Sequence, residues 1–189
     1  MEQRKLHSSP AALRRQQQIE SCLYENLRHI PYHSISVSDL CRQVGISRKA
    51  FYNYYSDKDN CLNALIDRVL QESMLNATRT EDISPLENAV ALLEYWKGKR
   101  EFLDILLHNN LSHLLISRNM EYIIHEERIV LERISTPEIQ SDMDILACYM
   151  ACLLTLVLQW YYRGFSDPTE EMAKKMLRLL HMPMIVPGG

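Results

Sequence analysis

Glycine is scarce here, with five among 189 residues, so phosphate-cradling glycine turns have little to be built from. No P-loop, dinucleotide fingerprint, GxSxG elbow or HExxH helix occurs. The five cysteines are odd in number and irregular in spacing, which excludes a disulfide framework and a zinc site. They read as thiols of a reducing cytoplasm, with Cys22, Cys41 and Cys61 on apolar helix faces. Cys148 and Cys152 share a face, yet nothing basic lies near enough to activate them as oxidant sensors. His108, His113 and His125 do not stand at i, i+4, and the paired carboxylates Glu126-Glu127 and Glu170-Glu171 read as solvated charge. The expectation is a protein with no catalytic residues, no metal and no cofactor. Strand alternation and fixed-period repeats are missing as well, which leaves an all-α chain. The N-terminus is polar rather than a signal peptide, and the most apolar run, Ile145 to Leu158, stops short of a bilayer span before Gln159 and Arg163. These features point to the cytoplasm and to no membrane partner.

What is present is concentrated between Ser36 and Lys58. Ser36 is an N-cap, with Asp39 three residues on as an acidic variant of the capping box. Val37, Leu40 and Val44 follow at helical spacing, Gly45 supplies the left-handed stop, Ile46 plugs the turn and Ser47 caps a second helix. In that helix Phe51 and Tyr55 face inward, and Arg48, Lys49, Tyr52 and Asn53 project from the other side. Such a face suits a DNA major groove. Arg48 and Lys49 can meet guanine edges or phosphates, Asn53 can pair with adenine, and tyrosine hydroxyls can bond phosphate oxygens. Asp57 caps a third helix that begins at Lys58, joining a cation to free helix N–H groups, both attractive to phosphate. Charge is distributed to match: residues 1–60 carry nine Lys/Arg against six Asp/Glu, which leaves −6 to the remainder of a chain whose net charge is −3.

The segment resembles the DNA-binding domain of the TetR family of bacterial transcription regulators, through Ser36, Asp39, Leu40, Gly45, Ile46, Ser47, Phe51, Tyr52, Tyr54, Tyr55 and Lys58. The resemblance implies that Tyr52, Tyr54 and Lys58 hold phosphates while Arg48, Lys49 and Asn53 approach bases, with Ser36 and Ser47 also at the interface. Two positions depart from the family pattern: Ala50 stands for Thr or Ser, and Tyr55 for Phe. A helix-turn-helix working as a protein-binding scaffold, with little DNA affinity, is the alternative.

The first helix, opened by Ser9-Pro10 and stopped by Pro31, places Ile19, Cys22, Leu23, Leu27 and Ile30 on one stripe, with Arg14 and Arg15 near its start. From Lys58 a long helix carries Leu62, Leu65, Ile66, Val69, Leu70 and Met74, and by the resemblance it links head to body. The expected organisation is a flexible arm 1–10, a helix-turn-helix domain 11–57, a linking helix 58–79, an effector-binding and dimerisation domain 80–182, and a tail 183–189, about nine helices in all. Within the body Ser84 to Glu87 forms a capping box, Gly98 and Asn109-Asn110 mark breaks, and Leu114 to Ile134 buries Met120, Ile123, Ile124, Val130, Leu131 and Ile134 before Pro137. Ile145 to Tyr162 is apolar nearly all round and needs cover on both flanks, either from its own subunit and a partner or from a thick single-chain core. The run from Trp160 through Asp167-Pro168 to Leu180 loosely resembles activators of dihydroxyacetone kinase operons. In the TetR family the last two helices form the dimer interface; the alternative is packing within one chain. Trp96, Tyr122, Tyr149, Met150 and Trp160 could line a pocket for a small hydrophobic effector, or simply fill the core. The reading is a homodimeric repressor that binds a palindromic double-stranded DNA operator and responds to an unidentified small molecule.

Overall fold

The computed structural model describes residues 9–77, 84–125 and 143–180. Among these it contains nine α-helices: α1 (Pro10–Leu27), α2 (Val37–Val44), α3 (Arg48–Tyr52), α4 (Lys58–Ala77), α5 (Pro85–Gly98), α6 (Arg100–His108), α7 (Ser112–His125), α8 (Met143–Tyr162) and α9 (Thr169–Leu180). The all-α expectation holds. The arm as far as residue 8, the polar stretch 78–83, the positions Val130, Leu131, Ile134 and Pro137, and the tail lie outside the described residues.

Serine caps explain where four of these helices begin. Ser9, Ser36, Ser47 and Ser84 each accept the backbone N–H three residues on, at 3.1–3.2 Å. Glu87 returns the bond to the Ser84 N–H at 2.9 Å, completing the capping box and holding its own carboxyl below the usual range. Gly45 ends α2 at φ 72°, where a side chain would be strained. Asn110, at φ 57°, turns the chain between α6 and α7.

The chain forms two compact units. The first joins the residues up to Val69 with Asp104–Arg118. Ile19 and Leu23 of α1, Leu40 of α2, Phe51, and Cys61, Leu62 and Ile66 of α4 are sealed from solvent in it. Beside them Asn26 of α1 and Gln43 of α2 exchange amide hydrogen bonds at 2.7 and 3.1 Å. Asp67 takes a two-pronged bond from Arg118 at 2.8 and 2.5 Å. The second unit comprises Leu70–Leu103 and the chain from Asn119 onward. Here α9 lies along α5, burying Met172, Ala173 and Met176, and α8 also packs on α5. The boundary between units falls inside α4, so the linking helix contributes to both.

Three expectations are corrected. Helix α1 ends at Leu27, ahead of Pro31, and Ile30, left beyond the stripe, is 39% exposed. Ile124 is also exposed, because the buried face of α7 runs through Leu115, Asn119 and Ile123 at four-residue spacing. Helix α8 has one side covered within the chain, so only the single-chain form of the expected cover is excluded: Ala147, Ala151, Leu154, Val157, Leu158 and Trp160 are buried, whereas Ile145 is 67% and Tyr162 60% exposed. By length and composition this helix could cross a bilayer, contrary to the count of apolar residues alone. Its buried face, packed on protein, reads instead as the core helix of a folded body.

Candidate nucleic-acid interface

The geometry of the turn between α2 and α3 follows from two local bonds. The Ile46 N–H reaches the Cys41 carbonyl at 2.9 Å across the left-handed Gly45, and the Ser47 hydroxyl takes the Ala50 N–H. Phe51 is then driven fully into the core, with Tyr55 one turn on at 3% exposure. The α-helical assignment ends at Tyr52, but Tyr54 and Tyr55 both bond back to the Phe51 carbonyl, at 2.9 and 3.1 Å, so the turn continues far enough to seat both rings. With that face committed inward, Ser47, Arg48, Lys49, Tyr52 and Asn53 all remain exposed. Arg48 lies over the Tyr52 ring at 6.0 Å and its Nη2 reaches the Tyr52 hydroxyl at 3.5 Å, a contact loose enough for either group to leave for a phosphate. The structure therefore gathers the cationic, phenolic and amide side chains that the sequence singled out onto one exposed turn of chain.

The remaining expected contacts are less simply disposed. Ser36 is exposed, but its hydroxyl donates to Asp39 Oδ2 at 2.5 Å, so its proton is used within the cap. Tyr54 is half-buried. Lys58 turns inward: its Nζ donates to the Tyr32 carbonyl at 2.6 Å and the Ile35 carbonyl at 2.8 Å, and sits 4.0 Å from the Tyr32 ring centre. Burial pushes its pKa down. The Tyr32 hydroxyl in turn donates to Asp59, and its N–H to Asn109 Oδ1 at 2.7 Å. Lys58 thus ties the start of α4 to the 3-10 turn Tyr32–Ser34, with two of its three donors spent on carbonyls.

One cluster went unread in the sequence. Glu20, mid-way along α1 and 3% exposed, accepts the Tyr55 hydroxyl at 2.6 Å and Arg68 Nε and Nη2 at 2.7 and 2.9 Å. Burial and the adjoining carboxylate push the Tyr55 hydroxyl far above its ordinary pKa. Here the departure from the family's phenylalanine acquires a physical sense: the added hydroxyl meets a buried carboxylate. Arg14 and Arg15 line a shallow, open groove with Gln17, Gln18, Ser21 and Gln43 on the same unit.

In the second unit, Trp96 and Met150 line a small, partly open cavity with about 10 Å³ of free space, room for one water. Its other walls include Leu70, Ser73, Met74 and Asn119. Tyr122, Tyr149 and Trp160 are not among them. Trp160 is wholly buried against Phe165, with ring centres 4.7 Å apart, and acts as core. Tyr122 and Tyr149 are half-buried. Among the described residues no cluster of three or more His, Cys, Asp or Glu could hold a metal.

Comparison with known proteins agrees with this geometry. Residues 26–65 match the family model described as bacterial regulatory proteins, tetR family, and residues 84–182, just over half of the chain, match a transcriptional regulator C-terminal region of the same family. The uncharacterized HTH-type transcriptional regulator YxbF of Bacillus subtilis is 26% identical over 79% of this chain, which spans 40% of that protein's length. The structure of Thermus thermophilus FadR, a TetR family repressor in complex with lauroyl-CoA, has a TM-score of 0.53 at 19% identity, covering 92% of this chain and all of that one. The dihydroxyacetone kinase operon activator DhaS has a TM-score of 0.50 at 18% identity over 88% of this chain and 94% of its own, a likeness of fold. The capped helix-turn-helix, the all-helical body and the two family matches together make this chain a member of the TetR family of bacterial transcription regulators.

Proposed function

We propose that this regulator is a cytoplasmic homodimeric repressor that holds a near-palindromic operator and releases it when a small molecule enters the second unit. The observation that carries the reading is the exposed set Ser47, Arg48, Lys49, Tyr52 and Asn53 on a helix whose opposite face is locked by Phe51 and Tyr55. Arg48, Lys49 and Asn53 are assigned to base edges, and Ser36, Ser47, Tyr52 and Tyr54 to phosphates. Lys58 is assigned a supporting role, because its ammonium is engaged by two backbone carbonyls.

Dimerisation is supported by α8. Ile145, Cys148, Cys152, Thr155, Gln159 and Tyr162 are all exposed and alternate by three and four residues, the spacing of a helix seam that meets a second helix. The outward residues of α9, Glu170, Glu171, Lys175 and Arg178, are charged and suit the rim of such a contact. Two-fold symmetry would set two recognition helices about 34 Å apart along B-form DNA. The small molecule would act by favouring a form of the dimer with lower operator affinity, and operator would lower its affinity by the same factor.

Retardation of duplex DNA at rising salt tests the reading. A regulator that neutralises about six to ten phosphates loses on the order of 10³- to 10⁵-fold in affinity between 50 and 200 mM salt. Absence of retardation at any salt would favour the scaffold alternative, in which the fold serves protein partners. On a bound operator, Arg48→Ala and Asn53→Ala should each relax preference at particular base pairs by about 1–3 kcal/mol, whereas Tyr52→Phe should weaken all duplexes alike.

A further inference from the structure

Among the described residues three buried side-chain atoms lack a hydrogen-bond partner: Asn88 Oδ1, Asn119 Nδ2 and Trp160 Nε1. Of these residues only Asn119 lines the cavity of the second unit. It is 3% exposed and stands between Leu115 and Ile123 on the buried face of α7, a place that leucine would fill without leaving a donor unmade. The cavity is otherwise walled by Leu70, Met74, Trp96, Met150, Leu154 and other apolar side chains, with Ser73 as the second polar residue and no charged residue in the lining. The cavity is partly open, and as it stands its free space of about 10 Å³ is enough for one water. Two of its walls, Met74 and Met150, are unbranched side chains with three rotatable bonds each, able to swing aside at little steric cost.

We propose that Asn119 is the polar anchor of the effector site and that the effector is a small, uncharged, mainly apolar molecule with one hydrogen-bond acceptor, such as a ketone or ester carbonyl. The inference rests on the effector-controlled reading given above and names the class of molecule sensed. A carboxylate or phosphate entering this space would lose its hydration and meet no cation, so anions are rejected. A plain hydrocarbon would fill the same space but leave the Asn119 amide unpaired. The acceptor therefore sets selectivity, and the apolar walls supply affinity.

Full-length protein titrated with 2-heptanone, 1-heptene and heptanoate, read by calorimetry and by melting temperature, tests the assignment. The ketone should bind roughly tenfold tighter than the alkene, the worth of one buried hydrogen bond, and the carboxylate should not bind. Asn119→Leu should bind ketone and alkene alike. Asn119→Ser, which keeps a hydroxyl but shortens its reach, should also lose the preference and covers the case in which the leucine variant does not fold. Equal binding of ketone and alkene by the wild type, a preference that survives both substitutions, or no binding of any probe would each overturn the proposal. The last is the outcome expected if Asn119 only holds a buried water. Retardation of operator DNA by the same preparation separates the two readings. Operator binding without probe binding removes the anchor and keeps the regulator, and the converse removes the regulator and keeps the anchor.

Discussion

Two charged residues illustrate how a side chain's role is set by partners distant in sequence. Lys58, read from its neighbours, is a cation at a helix start and a natural phosphate ligand; in the fold it bonds the carbonyls of Tyr32 and Ile35. Lys58→Met should therefore lower melting temperature and DNA affinity together while leaving the salt dependence of binding unchanged. A phosphate contact would instead show as a salt slope reduced by about one, with the melting temperature intact. Glu20 sits between Ile19 and Leu23 of α1, and its partners Tyr55 and Arg68 lie 35 and 48 residues away. Arg68→Met should destabilise the protein by about 3 kcal/mol, since it strands a buried carboxylate, and Arg68 is itself only a third exposed. The double variant Glu20→Leu/Arg68→Met should recover much of that loss in urea unfolding. A double variant no more stable than the single would mean that the cluster contributes through packing rather than charge pairing. Burial likewise pushes the Cys61 thiol up, so Cys61 should resist alkylation in the folded chain.

At the scale of elements, what could be read from sequence was what is local. The caps at Ser9, Ser36, Ser47 and Ser84, the left-handed Gly45 and the inward pair Phe51/Tyr55 each depend on residues within four positions, and all appear as expected. The exposed face of α3 was legible for the same reason. What was not legible depends on packing: which flank of α8 is covered, where the cavity lies, and that Asn119 rather than Tyr149 or Trp160 lines it. The bare flank of α8 makes its own prediction. Thr155→Glu, at the centre of the exposed seam, should dissociate the dimer at micromolar concentration in sedimentation velocity without lowering helix content. In the wild type, Cys148 and Cys152 should alkylate slowly while dimeric and quickly once diluted to monomer. A monomeric wild type with both thiols reactive at every concentration would show that this flank meets no second copy.

For the molecule as a whole, the division into two units matters because the linking helix α4 belongs to both. Its part up to Val69 supplies Arg68 to the Glu20–Tyr55 cluster, and its part from Leu70 onward supplies Leu70, Ser73 and Met74 to the cavity wall. The charge distribution is divided as well: a basic head is attracted to the duplex while an acidic body is not. The most direct measurement is selection of bound duplexes from a random pool by the purified protein, followed by sequencing. The account predicts enrichment of two inverted half-sites with centres about one helical turn apart, and loss of preference at defined bases with Arg48→Ala or Asn53→Ala. Failure to enrich any sequence, or a motif indifferent to both substitutions, would contradict it.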